Sequence, residues 1–547
     1  MKKFIIYVGI FLTTCFATAQ NVNSKIDSLL VKYDNPNSPG LSIGIIENGK
    51  IIYSKGIGLA TLEYNIKNTD STVFSIASIA KQFTAACAWA LIKERKLNLD
   101  DDIRTFLPEL PEKKDIIKIR HLLNHTSGFR DYNSSMYLAG FDYDKEYYDN
   151  QMVYDIACKQ KNMTNLPGEK VLYGNTPFNL LTLIIERISN KNLHEFAKEK
   201  LFIPLGMHNT LVRIENNTII KNKAIGYQKT KESYIQMPRT QISYGAGSMG
   251  STIKDMALWI NMLNGDNAAF IELSRFLTTL ETLPSGEKAK YARGIMVDDY
   301  KGLKTVSHSG YGWGGQSQLI TIPEKKLGVI LMTNLESINP TPISYDILDL
   351  FIPKTEIGKE KVSKNFKSRP KDFKSFAGQY KEINSDMKME ILFENDTLKS
   401  KGARAKNPIA LKGFEKNKFH RINSESVKYD FTKNTKHDLV ISFGGTPFYF
   451  KRALFIDSKT VNVMEYTGKF YSDELDVTYN FYEKEGVLYL SYRNHENIPL
   501  STVQKDEFGN NDRTLYRFTR NDKNEISGML LSCDGSVKEI DFVRNKS

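Results

Sequence analysis

The hydrophobic period of this chain changes near residue 354, and a change of period is a change of fold. From Lys354 to Lys371 runs KTEIGKEKVSKNFKSRPK, basic, polar and without apolar periodicity, which reads as a linker over 356–371. Beyond it the apolar residues recur at every second position. Two similar units follow, one opening FAGQYKEINSDMKMEILFENDTLKSKG and the other YTGKFYSDELDVTYNFYEKEGVLYLSYR. Each starts aromatic-x-Gly-x-aromatic, and each closes on an aromatic-basic strand, FYFKRA and IDFVRN. Units of roughly 80 to 90 residues with this period predict a duplicated small β-domain, barrel-like, over 372–453 and 454–547.

Ahead of the linker, strands and helices come in blocks. GLSIGIIENGKIIYSKGIGLA, Gly40 to Ala60, is two β-rich runs around Asn48-Gly49, a hairpin signal. FSIASIAKQFTAACAWALI, Phe74 to Ile92, reads as a nearly all-apolar helix, with Ser75 placed to cap it and Ser78 in its first turn. From about Leu97 to Met207 the pattern is mostly helical, broken by NHTSG and NLPGEKVLYGN. The Gly-rich YGAGSMGST precedes an amphipathic helix, KDMALWINML, and Lys304 to Asn334 reads as strands turning near Pro323 to Gly328. Strands come from both ends and helices fill the middle. The expected architecture over 20–355 is therefore α/β (α+β), an antiparallel sheet flanked by helices with a helical subdomain.

The N-terminus MKKFIIYVGIFLTTCFATAQ has two lysines, an apolar run and a small-x-small end, the pattern of a cleaved secretory signal over 1–19. That predicts a periplasmic or secreted protein starting at Gln20, with a lipoprotein site at LTTC, lipidated on Cys15, as the rival reading. No later segment offers 18 uninterrupted apolar residues, so no membrane span is expected. A net charge of +12, or +10 once Lys2 and Lys3 are removed (12 minus 2), reads as a solvated exterior, and no nucleic-acid motif accompanies it. Cys87, Cys158 and Cys533 are odd in number and far apart, which is no disulfide framework.

Ser78 and Lys81 are three residues apart, so on a helix they share a face. Alone, the pair reads equally as a helix serine beside a snorkelling lysine, since Ser-x-x-Lys recurs at Ser251, Ser285, Ser368 and Ser385. Context separates it from those copies. A hairpin precedes it, PGEKVLYGN with Tyr173 and Asn175 follows, and His308-Ser309-Gly310 lies on a later expected strand.

That ordered set resembles the serine β-lactamase and penicillin-binding-protein superfamily, in its class C β-lactamase, D-aminopeptidase and esterase-like branch. The resemblance covers roughly Ser24 to Pro353 and takes in IRHLLNHTSGFRDY and GAGSMGSTIKDMALW. The C-terminal units resemble the lipocalin-like domains found behind such hydrolases. By this resemblance Ser78 is the nucleophile that becomes acylated and Lys81 helps remove its proton, which requires surroundings that favour the uncharged amine. Tyr173 matches the tyrosine that carries a proton to the leaving group, and Asn175 the amide that holds substrate and lysine in register. The N–H groups of Ser78 and of Tyr311, just after His308-Ser309-Gly310, match the oxyanion hole.

Many β-lactamases and transpeptidases carry Lys-Thr-Gly where this chain has His308-Ser309-Gly310. A histidine there is mostly neutral near pH 7. The expectation is an exported hydrolase of small esters or amides, with D-amino-acid peptides and peptidoglycan fragments leading and β-lactams poorly turned over. A β-lactamase or D-Ala-D-Ala carboxypeptidase is the alternative, and a non-catalytic envelope binding or sensor protein is the alternative of another class. His121 and His125 stand four apart, but NHTSG reads as a helix end, so both are taken as structural and neither metal nor cofactor is expected. Trp313, among glycines, reads either as a pocket wall or as packing beneath a loop.

Overall fold

The computed structural model describes residues 22–352 and 370–545, apart from 113, 144, 238–240, 287, 384, 386, 403–404, 444–445, 454–459, 511–513 and 534. The segment read as leader and residues 356–369 of the linker lie outside the described residues, while Pro370 and Lys371, read as the linker's end, open the 3-10 helix Pro370–Phe376. The chain divides into two compact units: one holds Met1–Gly128, Tyr143–Cys158 and Asn165–Glu360, the other Phe129–Asp142, Lys159–Thr164 and Lys361–Ser547.

In the first unit, the Asn48-Gly49 turn joins β1 (Leu41–Glu47) to β2 (Lys50–Ile57), with φ of 50° and 81° at its two residues. Both angles are positive, as a two-residue turn between right-twisted strands requires. Four later strands complete an antiparallel sheet: β3 (Met296–Tyr300), β4 (Leu303–Gly312), β5 (Gly315–Ile322) and β6 (Leu327–Thr333), in the order β3-β4-β5-β6-β1-β2. The two ends of the unit therefore meet at the β1–β6 pairing, Leu41 opposite Thr333. Leu41, Ile43, Ile45, Val329 and Leu331 pack with Ile343 and Ile347 in one core. On the other face, Gly44 lies so near the helix Ile253–Leu263 that a Cβ there would sit 2.5 Å from Ile253.

The pairing of β3 with β4 ends at Met296 opposite Ser307. Residues 308–312 of β4 thus run past their neighbour and leave an open edge. Against β4 lies the turn Ala77–Ile79, which leads into helix α1 (Ala80–Lys93). The expected cap by Ser75 is not what the structure shows. Ser75 belongs to a short strand paired with Met249–Ser251, and the helix begins instead with a 3-10 turn whose N-cap is Ile76. Strand pairing has claimed the residue that local propensity offered as a cap.

The second unit contains two closed eight-stranded antiparallel barrels, from Gly378 to Arg452 and from Gly468 to Arg544. The duplicated motifs close them. Tyr380 pairs with Arg452 in the first, and Phe470 with Arg544 in the second. Each guanidinium lies over the aromatic ring it faces, at 5.2 and 5.7 Å, and donates to carbonyls just before the opening strand. The glycines of the motif make room: at Gly378 (φ 149°) a Cβ would meet Arg452 at 2.9 Å, and at Gly468 (φ 129°) it would meet Arg544 at 3.3 Å. Leu138 joins the core of the second barrel, and Arg130 makes a buried ion pair with Glu474. Among the described residues, no helix is long and apolar enough to cross a membrane.

Candidate active site

The turn that presents Ser78 is strained and tightly held. Ala77 takes φ of 44°, the left-handed region that costs an ordinary residue about 1–2 kcal/mol. What holds it there is close packing against the open edge of β4 and the neighbouring β5. Ser317 Oγ donates to the Ile76 carbonyl at 2.9 Å, and a Cβ on Gly310 would lie 2.4 Å from that same oxygen and 3.0 Å from Ala77 Cβ. Only glycine at 310 lets the strand come this close.

Ser78 is half-buried, whereas Lys81, three residues on, is fully buried. The Lys81 ammonium donates to Ser78 Oγ at 3.1 Å, Asn175 Oδ1 at 2.8 Å and the Ala246 carbonyl at 2.9 Å. Two of these acceptors are carbonyl oxygens and can only accept. The Ser78 hydroxyl can instead turn its O–H toward an uncharged amine, so it is the contact of the three that can reverse. Asn175 stands at the N-cap position of the helix Thr176–Ser189 but makes no side-chain cap bond there. Its side chain serves the lysine instead of the helix, forgoing a cap usually worth about 1 kcal/mol.

The Tyr173 ring is 45% exposed and lies 4.8 Å from Lys81 Nζ. Behind it stand His125, at 4.4 Å between ring centroids, and Tyr291 at 5.8 Å. The His125 backbone carbonyl accepts from Leu172 N–H, and its Nδ1 from Gly174 N–H, so the NHTSG loop pins the segment that carries Tyr173. The helix before it ends at Leu123, and His125 itself has φ of 58°. His121 and His125 are therefore not on one helix face.

His308 is buried with both ring nitrogens engaged: Nδ1 lies 2.6 Å from the Ser309 carbonyl and Nε2 2.9 Å from Tyr291 Oη. A carbonyl can only accept, so Nδ1 carries the proton and Nε2 accepts from the tyrosine. Burial, and next to it the Lys81 cation, push its pKa down to about 3, and the same causes hold His125 well below the usual histidine range. Burial raises Tyr291 well above the ordinary tyrosine range. The rings behind Tyr173 are thus neutral near pH 7. The Tyr311 side chain is exposed, with its hydroxyl donating to Glu336, a bond that pushes its pKa up to about 12.

The structure thus brings Ser78, Lys81, Tyr173, Asn175, His308 and Gly310 into one cluster, with Tyr311 next along the open edge. Tyr291 and the Ala246 carbonyl complete it. Nothing in the local sequence KYARG marks Tyr291, because its relevance lies entirely in the strand it faces. Cys87 is buried in α1, and burial raises its thiol far above the usual range, so it is held as a thiol.

Comparison with known proteins follows the same residues. A family model described as Beta-lactamase matches residues 26–350. The D-aminopeptidase of Gluconobacter oxydans (strain 621H) is 26% identical over 297 residues, 54% of this chain and 56% of that protein. Penicillin-binding protein 4* of Bacillus subtilis (strain 168) is 29% identical over 334 residues, 58% of this chain and 73% of that one. The chain spans somewhat more than half the length of the D-aminopeptidases it matches. Among solved structures, the octameric penicillin-binding protein homologue from Pyrococcus abyssi has a TM-score of 0.54 at 24% identity, covering 87% of this chain and 98% of that one, a likeness of fold.

Proposed function

This chain belongs to the β-lactamase family, and we propose that it is a serine hydrolase acting through an acyl-enzyme on Ser78, with small amides and esters of D-amino acids as substrates. The observation that carries the reading is the Ser78–Lys81–Asn175 cluster, in which a buried lysine reaches a half-exposed serine and has two fixed carbonyl acceptors on its other side. With Lys81 uncharged, Ser78 Oγ attacks the substrate carbonyl carbon and its proton passes to Nζ. The developing oxyanion is received by the N–H groups of Ser78 and Tyr311, which strand and turn hold in place beforehand. As the C–N or C–O bond breaks, the Tyr173 hydroxyl, at the exposed side of the cluster, gives a proton to the leaving group. It then takes one from the water that releases the acid.

His308 acts from behind in this scheme, since its nitrogens are spent on Ser309 and Tyr291. It presents no cation beside the reacting bond, so substrates with a carboxylate at that point, penicillins among them, gain nothing from it. The D-aminopeptidase likeness supports D-amino-acid amides as the substrate class. Domain boundaries at 355 and 371 and export by residues 1–19 belong to the same proposal.

The test is intact-protein mass after exposure to a fluorophosphonate, followed by turnover of D-alanine p-nitroanilide. A single adduct that vanishes in Ser78→Ala and forms slowly in Lys81→Ala supports the reading. Equal labelling of all three proteins overturns it and returns the binding-protein alternative.

A further inference from the structure

Away from the catalytic cluster, the first unit buries a cation that has no carboxylate among the described residues. Arg213, just after the short strand Leu211–Val212, is 3% exposed and lines a cavity together with Ser75, Lys223, Gly226, Trp313 and Asn334. Its guanidinium donates to Asn216 Oδ1 at 2.9 Å and to the Gln241 carbonyl at 2.8 Å, and Nε has no partner. Both acceptors are neutral. Burial alone pushes its pKa down to about 10, with no opposing negative charge acting on it. The lining of the cavity includes two cations, Arg213 and Lys223, and no aspartate or glutamate.

The cavity adjoins the catalytic centre. Ser75 stands just ahead of the turn that presents Ser78, and Trp313 follows Tyr311 by two residues. The Trp313 ring reaches to 3.9 Å from where a Cβ on Gly247 would lie, and Gly247 follows the Ala246 whose carbonyl receives Lys81. A substrate acylating Ser78 has this wall beside it.

We propose that this cavity is a substrate subsite for a carboxylate, received by Arg213, so that the enzyme prefers D-amino-acid derivatives bearing an acidic group away from the scissile bond. This rests on the hydrolase reading above. An arginine carries five N–H donors, of which the bonds to Asn216 and Gln241 use two, and its planar guanidinium suits a carboxylate. Of the two cations in the lining, Lys223 is exposed and only Arg213 is buried, so one buried positive charge balances one carboxylate, whereas a phosphate dianion would leave a surplus negative charge at that end. The cation that His308 does not provide beside the reacting bond is supplied farther along the substrate.

D-Glutamic and D-glutamine α-p-nitroanilides differ in one charge at nearly constant shape. The expected result is a kcat/KM about tenfold or more higher for the D-glutamyl substrate, the scale of a hydrogen bond to a charged group. In Arg213→Gln the ratio falls to about 1, while Arg213→Lys keeps part of the preference. Glutarate titrated into the Ser78→Ala protein should change the Trp313 fluorescence, a change absent from a Ser78→Ala, Trp313→Phe double variant, with inorganic phosphate failing to compete. Where turnover is seen the substrate ratio decides, and where it is not the glutarate titration decides. Glutarate binding without any turnover leaves the subsite standing and removes the hydrolase reading. Equal turnover of the two substrates, or phosphate competing as well as glutarate, overturns the subsite. Neither arm depends on Arg213→Gln folding.

Discussion

Replacing Gly310 by alanine tests whether the open edge of β4 supplies half of the oxyanion site. The added Cβ would lie 2.4 Å from the Ile76 carbonyl oxygen, 2.4 Å from Ser317 Oγ and 3.0 Å from Ala77 Cβ. Ordinary contact begins near 3.4 Å, so strand and turn must part by about 1 Å. A hydrogen bond of about 2.9 Å stretched that far is lost. Losing one oxyanion donor costs about 2.7–4 kcal/mol, a fall of about 10²–10³ in acylation rate. Overpacking also destabilises, by about 1–3 kcal/mol, so a control is needed. Gly44→Ala provides it: its Cβ would meet Ile253 at 2.5 Å, a comparable clash on the helix-facing side of β1. The assay is the rate of fluorophosphonate labelling followed by mass, with Tm measured for each variant. Both variants should melt earlier, and only Gly310→Ala should lose acylation. Should folded Gly310→Ala label within about threefold of the parent, or Gly44→Ala slow as much, the oxyanion argument is wrong.

Tyr291→Phe should cost about 1–3 kcal/mol in chemical denaturation, because it leaves His308 Nε2 buried without a partner; an unchanged midpoint would show that the pairing contributes nothing. Stability should fall in mild acid. His308 titrates at about 3 and His121 at about 4 when folded against 6.5 unfolded, so between these values the unfolded chain binds more protons. Their contribution is complete above pH 6.5 and shrinks below it, by about 1.4 kcal/mol per pH unit for buried His308 and by less for His121, which solvent partly screens, and a Tm constant from pH 6.5 to 4.5 would contradict this. In the second unit, Arg130→Ala should cost about 3–5 kcal/mol by stranding buried Glu474, and adding Glu474→Leu should recover much of it; additive losses in the double variant would refute the pairing. A chromogenic cephalosporin should be a poor substrate for the purified protein, and turnover on the order of hundreds per second would reverse the substrate assignment.

What could be read from the sequence was whatever short-range pattern dictates. Asn48-Gly49 demands positive φ at two neighbouring residues, and a hairpin is the fold that uses it. The paired aromatic-x-Gly-x-aromatic openings and aromatic-basic closings, more than 70 residues apart, turned out to face each other across the seams of the two barrels. Ser75 misled because its hydroxyl fits a cap, while its backbone pairs with Gly250, a partner 175 residues later. Asn175 carries the opposite lesson: it occupies the cap position but spends its side chain on Lys81. Tyr291 and Arg213 were silent, since each matters only through residues brought to it by tertiary packing.

The distribution of charge narrows the path a proton can take in the proposed reaction. No carboxylate figures among the groups acting on His125, Tyr291 or His308, and burial holds all three neutral near pH 7. A histidine held neutral by a cation beside it is a poor acceptor for a second positive charge, so His308 cannot store the serine proton while Lys81 is charged. Once Lys81 has taken that proton, Asn175 Oδ1 and the Ala246 carbonyl beside it accept hydrogen bonds but are not bases at this pH. In this scheme onward transfer goes outward, toward the leaving group and the Tyr173 ring at the exposed side of the cluster. Tyr173→Phe should then acylate with an activated ester, whose leaving group needs no proton, far better than with an amide. Equal losses on both substrates, measured as pre-steady-state bursts, would mean that the proton leaves by another route.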